Sequence, residues 1–221
     1  MAKIGVIIVC AGKSKRLGVD KTLFQLNGKP LFYHTYTVFR KIKNVAQIVM
    51  VLRGKHFAAA RKLIRDEKVL LVEGGEERYD SVRNGLSALD EDINFVLIHD
   101  GARPFVTKEV ISRVIAALRR YPAVICGMPA RDTVKFIGDG WVEKTLERKK
   151  IFLVQTPQGF NKDLIRRAYA GLKDKNVTDD GRVVELAGEK IKVVAGSPLN
   201  IKITYPQDLI IAKAIIKSAL E

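Results

Sequence analysis

The chain has 221 residues, 47% hydrophobic and 29% charged, with a formal net charge of +15. This length is enough to bury a real core, and no apolar run approaches the ~20 residues of a membrane span. The charge suits an anionic substrate, but the cations are spread along the chain without a basic arm or a recognition motif, so no specific nucleic-acid partner is expected.

The amino terminus, Met-Ala-Lys-Ile-Gly, has no apolar h-region, and a cytoplasmic location is expected. Cys10 and Cys126 lie in or beside apolar runs and read as small, reduced, buried residues. His34, His56 and His99 are too far apart in the chain to suggest a zinc site.

The pattern alternates strand and helix. Residues 4–9 form an apolar run of the length of a buried parallel strand. Phe32, Tyr36 and Phe39 then mark an amphipathic helix. Further strands are expected at 47–52, 68–72, 95–98 and 123–128. Helices are expected at about 57–64, through Ser81, Gly85 and Leu89, and after Thr107, which can cap the helix carrying Val110, Ile111, Val114, Ile115 and Leu118. Short connections between helices and parallel strands predict a doubly wound, mostly parallel α/β sheet.

The rhythm breaks at 133–155, where 133–137, a Gly-Asp-Gly turn, 141–145 and 151–154 read as a β-ribbon arm. Such an arm packs on a partner subunit or folds back on its own domain. The alternation then resumes with a helix from about Asn161, a short helix started by Thr178-Asp179-Asp180, strands at 191–195 and 201–203, and a last helix opened by Thr204-Tyr-Pro-Gln207 as a capping box. One domain, 1–221, with an inserted arm is the expected organisation.

In open α/β sheets, ligands bind at the carboxyl ends of strands, and three polar loops fall at such ends: 10–21, 73–81 and 99–104. The first holds two glycines, Ser14 and the cations Lys13, Lys15, Arg16 and Lys21, which suits a polyphosphate. It is not a Walker loop, because the position five residues before Gly12 is Ile7, and it is not a dinucleotide fingerprint, because Ser14 and Leu17 stand where glycines are needed. It fits a nucleotidyltransferase loop, Ala-Gly-x-Ser-x-Arg-x-Gly with a following Lys.

Gly74-Gly75 allow close backbone approach or simply make a turn, and Ser81 offers a hydroxyl to the edge of a base or to the helix start. Asp100 is suited to a Mg²⁺ carried by a nucleotide or to a turn. Arg103 would clamp a phosphate or make a surface ion pair. Lys202 is a phosphate ligand or a surface lysine, Arg148 a solvated charge, and His99 a structural histidine.

Taken in order, Ala11-Gly12-x-Ser14-x-Arg16 with Lys21, Gly74-Gly75-x-x-Arg78-x-x-Ser81-Val82, His99-Asp100-x-Ala102-Arg103-Pro104, residues 131–135, Gln155-Thr156-Pro157-Gln158, Thr178-Asp179 and Asn200-Ile201-Lys202 resemble the 2-C-methyl-D-erythritol 4-phosphate cytidylyltransferases of non-mevalonate isoprenoid synthesis. The resemblance spans nearly the whole chain and implies a Rossmann-like nucleotidyltransferase fold. It implies CTP as substrate, with Arg16 and Lys21 on its phosphates, Gly75, Glu76 and Ser81 at cytosine, and Ala11 and Gly12 near the ribose and phosphates.

Asp100, Gly101, Arg103, Thr133, Thr156, Thr178, Arg148 and Lys202 would serve the methylerythritol phosphate. Mg²⁺ would sit on the triphosphate, with Asp100 as its candidate protein ligand. Thr133 and Arg148 would reach a neighbour's site in a homodimer joined through the arm. A cytidylyltransferase for another polyol phosphate, such as ribitol 5-phosphate, shares the base and phosphate loops. The chain departs from the family pattern at Lys13-Ser14, at Asp20, where Pro usually precedes the Lys, in a short loop between Arg16 and Lys21, and at Leu199, where an acid is common.

Overall fold

The computed structural model describes residues 2–12, 17–18, 20, 22–173 and 175–218. β1 (Ile4–Val9) leads through a small hairpin of β2 (Gln25–Leu26) and β3 (Lys29–Pro30) into α1 (Leu31–Phe39). Then follow β4 (Val45–Leu52), a 3₁₀ turn (Gly54–His56), α2 (Phe57–Leu63), β5 (Val69–Glu73), α3 (Arg78–Ser87), β6 (Phe95–Asp100), α4 (Lys108–Leu118) and β7 (Ala123–Pro129). The arm hairpin is β8 (Lys135–Gly138) and β9 (Trp141–Thr145). β10 (Phe152–Asn161), α5 (Lys162–Gly171), α6 (Asp180–Leu186), β11 (Lys192–Ala195) and α7 (Pro206–Ser218) complete the order.

Seven strands form one sheet in the order β11-β7-β10-β6-β1-β4-β5, parallel except for β10, which runs against both neighbours. β1 supplies the alternation that a two-faced sheet needs. Ile4, Val6 and Ile8 pack with Phe32, Tyr36 and Phe39 of α1 and with Val110, Ile111 and Val114 of α4. Ile7 faces the opposite layer, with Val82 and Leu86 of α3, Leu164 and Ile165 of α5, and Val183 of α6.

Helix starts follow the sequence signals. Thr107 accepts from Val110 N–H, and Asn161 from Leu164 N–H. The register aligns Val9 with Asp100 and with Val51, and Leu52 with Glu73. The loops after β1, β4, β5 and β6 therefore leave the sheet along one edge.

Three local expectations are corrected. Residues 151–154 do not complete the ribbon; they open β10, which enters the sheet between β7 and β6. Pro157 breaks the ladder there, with a register shift between Gln155 and Gly159, and a proline reads against a central strand. Residues 201–203 form no strand; Ile203 is buried and its N–H donates to Ala102 O. The last helix does not start with Gln207 reaching back. Asp208 does so, accepting from Thr204 N–H at 2.7 Å and Tyr205 N–H at 2.8 Å.

β8 and β9 pair only with each other, around Asp139 (φ 50°) and Gly140 (φ 82°). That two-residue turn suits the twist of a hairpin. The hairpin's apolar side chains stay out of the core: Phe136, Ile137, Trp141 and Val142 are each at least half exposed, Trp141 at 80%.

Candidate active site

Two glycines bring the three loops together. A Cβ at Gly74 would overlap the Ala11 side chain, and one at Gly101 would overlap the Cys10 sulfur. Gly75 N–H then donates to Ser81 Oγ at 3.2 Å, and Ser81 is 2% exposed. The Ser81 hydroxyl therefore ties the Gly-Gly loop to the first turn of α3. Glu77 and Asp80 cap that helix reciprocally.

A cleft of about 360 Å³ opens between these loops, lined by Ala11, Gly12, Gly75, Glu76, Ser81, Asp100, Gly101 and Lys202 among others. A second, of about 270 Å³, is lined by Arg103, Thr156 and Thr178. Arg78, Asp100 and Lys202 line both clefts. Thr133 and Arg148 line neither; both are exposed on the arm, and Arg148 Nη1 donates to Arg131 O at 2.7 Å. Arg16 and Lys21 lie outside the described residues.

The shared wall is an ion-pair network. Asp100 Oδ1 accepts from Arg78 Nε at 3.2 Å, while Asp100 Oδ2 faces Lys202 Nζ at 2.7 Å and Arg103 Nε at 3.7 Å. Arg78 uses its other two nitrogens in a fork on Asp180, at 2.9 and 2.7 Å. Burial alone would raise the Asp100 pKa, but the Arg78, Lys202 and Arg103 cations outweigh it and hold the carboxyl far below the usual range. Three cations facing two carboxylates leave one positive charge in excess at the junction of the clefts.

A family model described as 2-C-methyl-D-erythritol 4-phosphate cytidylyltransferase (IspD) matches residues 4–218. The chain belongs to this family. Enzymes of that name from Alkaliphilus oremlandii and Bacillus mycoides are 42% and 40% identical, over 100% and 96% of this chain and 98% and 96% of theirs. The structure of 4-diphosphocytidyl-2C-methyl-D-erythritolsynthase from Anaerococcus prevotii superposes with a TM-score of 0.89 at 34% identity, covering 98% of this chain and 96% of that one. The Thermus thermophilus cytidylyltransferase gives 0.81 at 31% identity, covering 97% and 99%. The mostly parallel sheet is the fold of these cytidylyltransferase structures.

The residues present do not fit the expectation that Asp100 holds Mg²⁺. Both of its oxygens face cations. Among the described residues, no three His, Cys, Asp or Glu side chains converge, whereas divalent cations want several oxygen ligands.

His99 is structural in this family member. Its Nε2 lies 3.1 Å from Arg103 O, an acceptor only, so Nε2 carries the proton. Nδ1 then accepts from the Thr156 hydroxyl, whose oxygen accepts from Asp100 N–H, both at 3.1 Å. The chain of bonds fixes Thr156 against the start of the Asp100 loop.

Burial lowers the His99 pKa to about 4. The unfolded chain, with its histidine near 6.5, therefore binds more protons between those values. Stability from this group is complete above pH 6.5 and is lost as pH falls to about 4, by about 3 kcal/mol in all. Urea melts of the wild type at pH 7.5 and 4.5 are expected to show the loss, and His99→Gln to flatten it. An unchanged slope in that variant would refute the assignment.

Sequence reasoning left Arg78, Asp180 and Asn200 without roles. Arg78 stood inside the quoted Gly-Gly loop pattern, so its position was the available signal. Asp180 had none, since its partner lies 102 residues away. Asn200 donates to Thr156 O at 2.8 Å, and its carbonyl accepts from Arg103 Nη1 at 2.8 Å, so it joins the walls of the second cleft.

Proposed function

We propose that this chain transfers CMP from CTP to 2-C-methyl-D-erythritol 4-phosphate, releasing pyrophosphate, in non-mevalonate isoprenoid synthesis. The observation that carries this reading is the pair of adjoining clefts that share Arg78, Asp100 and Lys202, in a network where Arg78, Arg103 and Lys202 face two carboxylates, Asp100 and Asp180. Two polyanions must meet there, and excess positive charge offsets their repulsion.

The first cleft takes CTP, with Gly75, Glu76 and Ser81 at the base, Ala11 and Gly12 at the ribose and phosphates, and Arg16 and Lys21 on the phosphates. The second takes the acceptor, with Asp100 at its junction with the first and Arg103, Thr156, Thr178 and Lys202 around the phosphate; Gly101, expected there, lines the first cleft instead. A divalent cation, if the reaction takes one, would arrive with the nucleotide and offset charge on the triphosphate.

The acceptor phosphate oxygen attacks the α-phosphorus in line, the new P–O bond forms, and the bond to the β-phosphate oxygen breaks. The nucleophile is already anionic, so no base is needed. This agrees with a His99 that is buried, neutral and bonded at both nitrogens. Catalysis then comes from positioning and charge stabilisation. Arg103 and Lys202 orient the nucleophile, and Arg16 and Lys21 meet the charge that develops on the transferring and leaving groups.

The arm completes the site in a homodimer. Its exposed Phe136, Ile137, Trp141 and Val142 are apolar side chains, on both faces of the hairpin, that a second copy would cover, carrying Thr133 and Arg148 to the neighbour's acceptor cleft. No helix among the described residues is long and apolar enough to cross a membrane, which agrees with a cytoplasmic enzyme.

Pyrophosphate release tests the reading. With each of the four NTPs against 2-C-methyl-D-erythritol 4-phosphate and ribitol 5-phosphate, the expected result is turnover with CTP and the methylerythritol phosphate alone. Faster turnover with ribitol 5-phosphate would reassign the acceptor, and equal use of all four NTPs would refute the base-reading role of Gly75, Glu76 and Ser81.

A further inference from the structure

Lys21 can stabilise developing charge only if its own backbone is held, and the residues on either side of it are both tied to the sheet. Asp20 Oδ2 lies 2.8 Å from His56 Nε2, 3.2 Å from Arg53 Nη2 and 3.3 Å from Lys55 Nζ. All three partners belong to the connection that leaves β4. Asp20 Oδ1 accepts from Thr22 N–H at 3.2 Å.

Thr22 is buried, and its hydroxyl donates to Cys10 O at 2.9 Å, at the end of β1. Cys10 N–H is in turn bonded to Val51 O of β4 at 2.8 Å. Residues 20 and 22 are thus stapled by their side chains to the carboxyl ends of two adjacent strands. Lys21 stands between them in the sequence.

The staple is built on a rigid part. His56 is 1% exposed, so the anchor for Asp20 sits in the body of the fold. Burial would raise the Asp20 pKa, but His56, Lys55 and Arg53 outweigh it and hold the carboxyl below its ordinary value, so the group is charged across the working range. Lys55 is well exposed and Arg53 partly so, and such pairs add little to global stability. The effect of the cluster therefore falls on placement more than on folding.

We propose that Asp20, through its contacts with Arg53, Lys55 and His56, is the positioning residue for Lys21, acting as an electrostatic staple. The proposal rests on the reading of Lys21 as a phosphate ligand, and its test separates the two.

Turnover and KM for CTP are measured for full-length wild type, Asp20→Ala, Lys21→Ala and the double variant, with thermal melts of each. Lys21→Ala is expected to lower kcat by about 100-fold or more, and Asp20→Ala by about 10- to 100-fold as a misplacement effect, with little change in Tm. In the double variant, kcat is expected to stay within about 2-fold of Lys21→Ala alone, since coupled residues are non-additive.

Equal losses from Asp20→Ala in both backgrounds would overturn the proposal and leave Lys21 catalytic. Near-normal turnover of Lys21→Ala would overturn the Lys21 reading and the staple with it. Arg53→Gln carries the same cycle should Asp20→Ala fail to fold, and it is expected to lower kcat in the same direction.

Discussion

Asp180→Ala is expected to destabilise the protein by about 1–3 kcal/mol, because it removes the fully buried acceptor of the Arg78 fork and of the Tyr169 hydroxyl, while Arg78 keeps Asp100. Asp180 is fully buried at the start of α6, where it accepts the Arg78 fork and the Tyr169 hydroxyl at 2.6 Å. Burial would lower the Arg78 pKa, but Asp180 and Asp100 outweigh it and push the pKa well up. Burial, with Asp180 beside it, likewise pushes the Tyr169 hydroxyl up. With Asp180 removed, Arg78 still stays charged near neutral pH, because a guanidinium does not deprotonate in proteins.

Urea melts should show a lower midpoint at an unchanged m-value. Residual folded enzyme should also lose turnover, since Arg78 would then pull on Asp100 alone. Arg78→Met combined with Asp180→Leu should recover much of the stability, because apolar replacement of both partners removes the stranded charge, but not the activity. A loss below about 1 kcal/mol for Asp180→Ala would mean that water enters and the pair is not sealed.

That network also shows where sequence reasoning stops. Residues 4–9 and the helix faces of α1 and α4 were legible because burial imposes its period directly on apolar residues. The cap at Thr107 was legible because an orphan N–H needs a local acceptor; the helix start near Asn161 was placed, and the structure adds its capping bond to Leu164 N–H. Pro157 hid the central part of β10, since a strand with a broken ladder looks like a loop. The Asp208 cap was missed by one position because Gln207 and Asp208 both offer an acceptor near the third helical residue.

At the site, the three loops could be placed together from strand ends alone. The partners of Asp100 could not. Arg78, Lys202 and Asp180 come from α3, the segment before α7 and the start of α6, and only the packed sheet brings them within 3.2 Å of a shared carboxylate or guanidinium. Asp20 was legible as a departure from the family pattern, and its contacts with Arg53, Lys55 and His56 supply a physical reason for it.

Mixing two inactive variants is expected to restore activity. Lys21→Ala and Arg148→Ala should each lose about 100-fold or more in kcat if each meets charge in the transition state. Arg148 lines neither cleft of its own chain and points its guanidinium at Arg131 O on the exposed arm. In the proposed dimer it serves the other subunit. A heterodimer then has one site carrying both defects and one carrying none.

With free exchange of equal amounts, half the dimers are heterodimers, so about a quarter of all sites become native and about a quarter of wild-type turnover returns. If the arm served its own chain, every site in the mixture would carry one defect and nothing would return. The distinction is sharp because the expected recovery is tens of times the activity of either parent. Exchange is verified by mass-tagging one parent, so absence of recovery in a mixture shown to contain heterodimers would refute the shared site. Trp141→Ser supplies the structural control. Removing the apolar side chain that is most exposed in the single chain should weaken association, make turnover concentration-dependent, and leave the fold of each subunit unchanged by circular dichroism.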